Sequence, residues 1–163
     1  MSLVDTYHAY FFGTAFWYGL RGMARVTDPA RVSSWFRPPA QPSSPNDLEL
    51  YTIWTDGFQL LTLAMIMVVF AAAVPLPTEI FGSFSGSAAT QKALKPFARA
   101  LILATLFHHI TTGIGAYTHW VRPSHHTVAM DIGVYGNVGL TLLGIAALVS
   151  GLREPSSSTK KVS

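Results

Sequence analysis

A stretch of 22 residues without Asp, Glu, Lys or Arg constrains the fold more than any other feature of the chain. It runs from Ala100 to Val121 and is long enough to cross a bilayer as an α-helix, which takes about 20 residues. Two adjacent histidines, His108 and His109, lie near its middle. A polar side chain at that depth is costly and tends to face the interior of a helix bundle. The stretch therefore predicts a membrane span that buries polar groups against neighbouring helices.

Three further windows without charged residues predict three more spans. They hold 15 residues before Arg21, 22 before Glu79 and 21 before Arg153. Only 12% of the chain is charged, whereas a soluble domain has about 25%, so the chain lacks the charged shell that a soluble protein needs. We therefore predict an all-α fold, namely an integral membrane, antiparallel four-helix bundle.

One domain is predicted over residues 1–151, with helices at about 3–23, 48–74, 92–120 and 125–151. A proline-rich loop separates the first two helices, because prolines at this density prevent a continuous helix. Within it, Trp35 and Phe36 are expected to form a short amphipathic element in the head-group region. Residues 152–163 are polar and are predicted to be a disordered tail.

The polar residues of the predicted spans concentrate toward one side of the membrane. In an up-and-down bundle both chain termini lie on one side, called side A, and the opposite side is side B. At 1.5 Å per residue, Glu49 and Asp56 lie about 2 to 10 Å in from side B, and His109 lies about 15 Å in. We therefore predict a polar pocket that opens toward side B. Its candidate catalytic residues are Asp56, His108, His109 and Asp131, and its candidate substrate-binding residues are Tyr18, Arg21, Glu49, Trp54, Gln59, Thr112 and Tyr135.

Two interpretations of these polar residues are open. Buried charges in membranes often pair with one another, which would join Arg21 to Glu49, and Asp56 or Asp131 to a histidine. Alternatively, two carboxylates and a histidine at one level form a site for general acid–base chemistry. The number of groups favours the second interpretation.

The sequence favours neither a metal site nor a cofactor. The chain has no cysteine, and neighbouring helical residues such as His108 and His109 point about 100° apart. No His-x-x-x-His or Glu-x-x-His pair lies within a span, unlike in di-iron helix bundles. The basic residues are spread over loops and tail, which indicates contact with anionic lipid head groups instead of nucleic acid.

Three stretches carry a resemblance to a known kind of protein. They are GLRGMARVTDPARVSSWF at Gly19–Phe36, LYTIWTDGFQLL at Leu50–Leu61, and the ionisable patch of the third span followed by a glycine-rich fourth. With these the chain resembles small four-span membrane proteins of filamentous fungi that are catalogued as a domain of unknown function. The usual pattern in that group has Arg directly before the second-helix Asp, where this chain has Thr55. The resemblance implies a membrane location and, by analogy, secondary metabolism.

Two functions from different classes are expected from these observations. The first is a cofactor-independent enzyme of cyclase or isomerase type that acts on a lipophilic terpenoid or polyketide-like intermediate, in a multi-pass protein of the endoplasmic reticulum. Asp56 would be its acid or base, His109 or His108 its partner, and Arg21 or Tyr135 would stabilise developing charge. The second is a non-enzymatic carrier or accessory subunit whose polar residues are interhelical ties. The expected partners are a lipophilic small molecule and membrane lipids, without nucleic acid.

Overall fold

The computed structural model describes residues 6–41, 44–73 and 88–151. This part of the chain is helical and contains no strand, which confirms the all-α prediction. The predicted tail over 152–163 lies outside the described residues. The elements are α1 (Thr6–Thr27), α2 (Pro29–Phe36), α3 (Asp47–Ala73), α4 (Ala88–Trp120), α5 (Val128–Ala146) and a closing π-helical turn (Ala147–Gly151).

The four long helices alternate in direction. The Tyr7 hydroxyl donates a hydrogen bond of 3.0 Å to the carbonyl of Phe70, so α1 begins where α3 ends. The hydroxyls of Thr6 and Ser150 are 2.8 Å apart, which places the start of α1 beside the end of the chain's last helical turn as well. The most extensive pairings are α1 with α3 and α4 with α5, and α1 also packs against α5.

Helix α1 supplies much of the core. Tyr7, Tyr10, Phe11 and Tyr18 are all at most 1% exposed, although these aromatic residues would also suit a membrane interface. Tyr10 adds a hydrogen bond of 2.7 Å to the hydroxyl of Thr105 on α4. Helix α1 thus directs its tyrosines into the bundle, whereas Phe16, Leu20 and Met23 on its other face are 52–70% exposed.

Three helices are long and apolar enough to cross a membrane: Asp47–Ala71, Ala93–Trp120 and Val128–Ser150. Their outer faces expose large apolar side chains such as Val69, Phe107 and Leu142, which are 63–70% exposed. Exposed apolar faces of this kind are what lipid would cover. These features support a membrane protein. Helix α1 is not among the three, because its tyrosines, glycines and His8 lower its hydropathy. Four spans were predicted, and three of the described helices have the length and apolar composition of a membrane span.

A short helix follows α1 instead of a loop without structure. The Asp28 carboxylate accepts a hydrogen bond of 2.9 Å from the backbone N–H of Arg31, and Pro29 occupies the first turn of α2. Both are favourable choices at the start of a helix. Trp35 is 46% exposed on this helix, and the expected amphipathic element is therefore α2.

Candidate functional site

Five polar side chains from α1, α4 and α5 meet inside the bundle, and we call them the interior cluster: Tyr18, Arg21, His108, His109 and Asn137. The Tyr18 ring lies 5.2 Å from the ring of His108 and 5.3 Å from that of His109, centroid to centroid. Tyr18 and His109 are fully buried, and Asn137 is 2% exposed. The sequence predicted all of these as site residues except Asn137.

Asn137 sets the protonation of one histidine. Its amide nitrogen donates a hydrogen bond of 2.7 Å to the carbonyl of Gly133, so its oxygen faces α4, where it accepts from the Thr112 hydroxyl at 3.1 Å. The same oxygen is 3.3 Å from Nδ1 of His109. An amide oxygen only accepts, so Nδ1 carries the proton and Nε2 of the neutral ring is left as an acceptor.

Four polar atoms of the interior cluster have no hydrogen-bond partner among the described residues. They are the Tyr18 hydroxyl, Nη1 of Arg21, and Nε2 of both His108 and His109, and all four are buried. Native proteins satisfy the large majority of their buried polar groups with protein or ordered water. Four unpartnered polar atoms in one cluster therefore indicate a site where water or a ligand supplies the missing hydrogen bonds.

An apolar cavity of about 570 Å³ adjoins the interior cluster, and we call it the lateral cavity. Arg21, Thr112 and Asn137 belong to its wall. Leu20, Trp35 and Ile132 also line it, and these three are about half exposed on the outer surface. The cavity therefore opens sideways, toward the space that lipid would fill. Its remaining lining residues are Trp17, Ala24, Arg25, Phe36, Gly115, Ala116, Ala129, Met130 and Gly133.

A second, polar cavity of about 810 Å³ lies at the side B end, between α2, the loop after it and α3. We call it the polar groove. Glu49, Asp56 and Gln59 line it. Arg25 binds Asp56 at 2.6 Å, and Arg37 binds Glu49 at 2.7 Å. Both ion pairs tie α3 to the segment before it.

These ion pairs correct the expected partners. Glu49 was expected to pair with Arg21, but Arg37 and the backbone N–H of Asn46 occupy it. Asp56 pairs with Arg25, one helical turn beyond Arg21, and makes no hydrogen bond to a histidine among the described residues. The reason is depth. Glu49 lies in the first turn of α3, beside the loop that carries Arg37, and Asp56, two turns further along α3, lies at the level of Arg25 near the end of α1.

Asp131 lies outside both cavities, near the turn between α4 and α5. Its carboxylate accepts from the indole N–H of Trp120 at 2.7 Å and lies 2.8 Å from Nε2 of His126. An Asp131–histidine pair was one of the expected ties, and the partner is this turn histidine. Asp131 therefore anchors the turn and does not meet His109.

Two further predicted residues point away from the site. Tyr135 is 65% exposed and Trp54 is 44% exposed, and neither lines either cavity. The single pocket of the sequence analysis is thus two cavities. The interior cluster and lateral cavity take Tyr18, Arg21, His108, His109 and Thr112, whereas the polar groove takes Glu49, Asp56 and Gln59.

Sequence reasoning missed Asn137, Arg25 and Trp17 as site residues. Asn137 carried a usable signal, because an amide deep within a charge-free span needs a polar partner. Arg25 was assigned to a loop, but α1 continues to Thr27. In the described part of the chain, no group of three or more His, Asp or Glu side chains is arranged to hold a metal ion.

Comparison with known proteins gives one match. Residues 10–162 match the family described as "Domain of unknown function (DUF8792)". The chain belongs to this family. No curated protein and no solved structure matches the chain. The match covers the interior cluster and both cavities but assigns no activity, and a fungal origin stays a prediction.

Proposed function

We propose that the protein is a multi-pass membrane protein in which α1 is a fourth span. Its 22 residues extend about 33 Å, enough for the roughly 30 Å hydrocarbon core of a bilayer. The neighbouring helices cover its polar side chains, so the low hydropathy of α1 does not expose them to lipid. The endoplasmic reticulum stays the predicted membrane, to be checked by imaging of the tagged protein.

We propose further that the protein is an enzyme of isomerase or cyclase type that acts on a lipophilic molecule. The observation that carries this proposal is the group of buried, unpartnered polar atoms on Tyr18, Arg21, His108 and His109 beside an apolar cavity. Ligand sites are typically apolar cavities of about 300–1,000 Å³ with a few convergent polar groups. The side opening suits a substrate that arrives from the bilayer.

The reaction that fits these groups is a proton shift next to a carbonyl. Nε2 of His109 takes a proton from a carbon beside the carbonyl, and the C–H electron pair becomes the double bond of an enolate. The Tyr18 hydroxyl donates a hydrogen bond to the enolate oxygen. When a carbon–carbon double bond is conjugated with this enolate, return of the proton from His109 to the far carbon of that double bond gives an isomer with the double bond moved by one position. Atoms and electrons then balance within the substrate, and no cofactor is needed.

The other predicted catalytic residues take different roles in this proposal. Asp56 positions Arg25 and holds α3 against α1, because its carboxylate is already paired at 2.6 Å. His108 lies beside His109 and Tyr18 and supports the ring arrangement. Arg21 reaches the lateral cavity and orients the polar end of the substrate.

The test compares metabolite extracts of the host with and without the gene, and then with variants of it. We expect a lipophilic precursor to accumulate without the gene. Tyr18→Phe and His109→Gln should lower product formation about 100-fold, the usual contribution of an acid–base group. Tyr135→Phe is the matched control, because its hydroxyl lies on the exposed surface.

The stability of Tyr18→Phe separates the enzyme from its alternative, a non-enzymatic carrier or accessory subunit. This alternative is favoured by the complete burial of Tyr18 and His109, neither of which lines the lateral cavity or the polar groove. The Tyr18 hydroxyl has no partner in the described structure, so its removal should leave the folded yield unchanged while product is lost. A lower folded yield with an unchanged metabolite profile would show that the cluster is structural.

A further inference from the structure

We propose that the lateral cavity binds an amphipathic carboxylate, with the head group on Arg21 and the apolar chain along the cavity wall. This inference builds on the proposed function, because it names the substrate class of the same cavity. It depends on the charge of Arg21, on the pairing of the neighbouring acids and on the shape of the cavity.

Arg21 has no ion-pair contact of its own in the described part of the chain, although the Asp56 carboxylate, which is bound to Arg25, acts on it from a distance. Its side chain makes no ion pair and no hydrogen bond among the described residues, and Nη1 is buried. Its guanidinium lies 5.6 Å from the ring of Trp17, a cation–π contact. A guanidinium stays charged in proteins, and a buried charge without a partner is strongly unfavourable. A negative group bound directly to Arg21 would therefore stabilise it.

The nearby carboxylates of the protein are already engaged. Asp56 is bound to Arg25 at 2.6 Å and Glu49 to Arg37 at 2.7 Å. Asp131 accepts hydrogen bonds at the turn between α4 and α5. Asp56 is thus shared between two arginines, in contact with Arg25 and acting on Arg21 only from a distance, and a ligand carboxylate would supply the contact that Arg21 lacks.

The cavity specifies the rest of that ligand. Trp17, Leu20 and Ile132 give it an apolar wall, and the half-exposed Leu20 and Ile132 open it toward lipid. One unpaired positive charge matches one negative charge, which a carboxylate carries, whereas a phosphate monoester carries about −1.5 to −2 at pH 7. Arg also binds a carboxylate through two parallel hydrogen bonds. A long-chain acid meets all of these conditions.

A glycine in the cavity wall allows the cavity to be filled without a clash. Gly115 lines the cavity, and a Cβ added there would have no heavy atom within 4 Å. The same holds for Gly139 on α5, which lines neither cavity. Gly115→Leu and Gly139→Leu therefore form a matched pair, in which only the first places a side chain in the cavity.

The experiment measures binding of radiolabelled dodecanoate and dodecanol to the full chain in phosphatidylcholine nanodiscs, with empty nanodiscs subtracted. We expect dodecanoate to bind about tenfold or more tightly than dodecanol, because hydrogen bonds between charged groups are stronger than those between neutral groups. Arg21→Gln should reduce dodecanoate to the level of the alcohol, and Arg21→Lys should keep part of the preference. Gly115→Leu should abolish binding of both, and Gly139→Leu should leave both unchanged.

Equal binding of acid and alcohol by the unaltered protein, or a preference that survives Arg21→Gln, would overturn the inference. Saturable binding of dodecyl phosphate tighter than that of dodecanoate would overturn the choice of a carboxylate. The two proposals fail separately. Carboxylate binding with no change in host metabolites would contradict the enzyme proposal and support this inference. A metabolite change without a preference for the carboxylate would support the enzyme proposal and contradict this inference.

Discussion

At the scale of single residues, two arginines one helical turn apart differ in what surrounds them. Arg25 pairs with Asp56 and donates a hydrogen bond of 3.1 Å to the carbonyl of Arg21. Arg21 lies one turn deeper, has no ion-pair contact among the described residues, and lines the lateral cavity. The position along α1 thus makes Arg25 a structural residue and leaves Arg21 available to a ligand.

The Arg25–Asp56 pair gives a stability prediction at this scale. The Arg25 side chain is 11% exposed and that of Asp56 is 46% exposed, so the pair lies between the exposed and buried classes. We expect Asp56→Asn to lower the free energy of unfolding by about 1–2 kcal/mol. Chemical unfolding in detergent of both single variants and of Arg25→Gln/Asp56→Asn measures this value.

The two changes should not add, because either one already breaks the pair. The double variant should be about as stable as the less stable single variant. Strict additivity would contradict the assignment of this ion pair. The matched control is Arg37→Gln, which breaks the separate pair with Glu49 and should add to Asp56→Asn.

At the scale of elements, glycines set how closely α1 approaches its neighbours. A Cβ at Gly57 would lie 2.8 Å from Val26 Cγ2 and 3.1 Å from the carbonyl oxygen of Gly22, so the backbones of α1 and α3 touch there. A Cβ at Gly136 would lie 2.5 Å from the ring of Trp17. Small residues at membrane-helix contacts commonly serve this purpose.

Gly57→Ala should separate α1 from α3. The new methyl group meets backbone and Cβ atoms that cannot rotate away, so we expect a loss of about 1–3 kcal/mol in the free energy of unfolding. Gly139→Ala is the control, because nothing lies within 4 Å of its Cβ position and alanine is the better helix former. Thermal unfolding of both variants in the same detergent measures the difference in their stability. Equal stability would show that α1 and α3 do not touch at Gly57.

At the scale of the whole molecule, the question is whether α1 crosses the membrane with the three apolar helices. If it does, the N-terminus lies on side A, opposite the end of α2. If α1 lies on the surface, the N-terminus and the end of α2 share side B. The chain has no cysteine. A single introduced cysteine therefore reports the side of the membrane on which it lies, without labelling of other residues.

We expect Ser2→Cys to be labelled from the opposite side to Ser34→Cys in sealed vesicles treated with a membrane-impermeant maleimide. Ser124→Cys, in the turn after α4, should be labelled from the same side as Ser34→Cys and serves as the control. Both of these serines are exposed. Labelling of Ser2→Cys and Ser34→Cys from one side would leave three spans.

The sequence by itself determined the helical class and the places where apolar spans run. Charge-free windows and prolines are local properties, and they predicted four long helices, whereas the segment that forms α2 was expected to be part of a loop. The sequence also concentrated the polar groups toward side B and marked Tyr18, Arg21, His108, His109 and Thr112 as residues that meet.

Only the tertiary structure decided which of these groups pair. Glu49 pairs with Arg37 and Asp56 with Arg25, and neither pairs with Arg21. Pairing depends on the depth of each residue in the bundle and on the rotation of each helix about its axis, and the residue pattern of one sequence specifies neither. Tyr135 and Asp131 share one helix face by spacing, yet the packing of α5 turns Tyr135 outward and leaves Asp131 at the turn. The division of one expected pocket into two cavities, and the unpaired charge of Arg21 in one of them, follow from that packing.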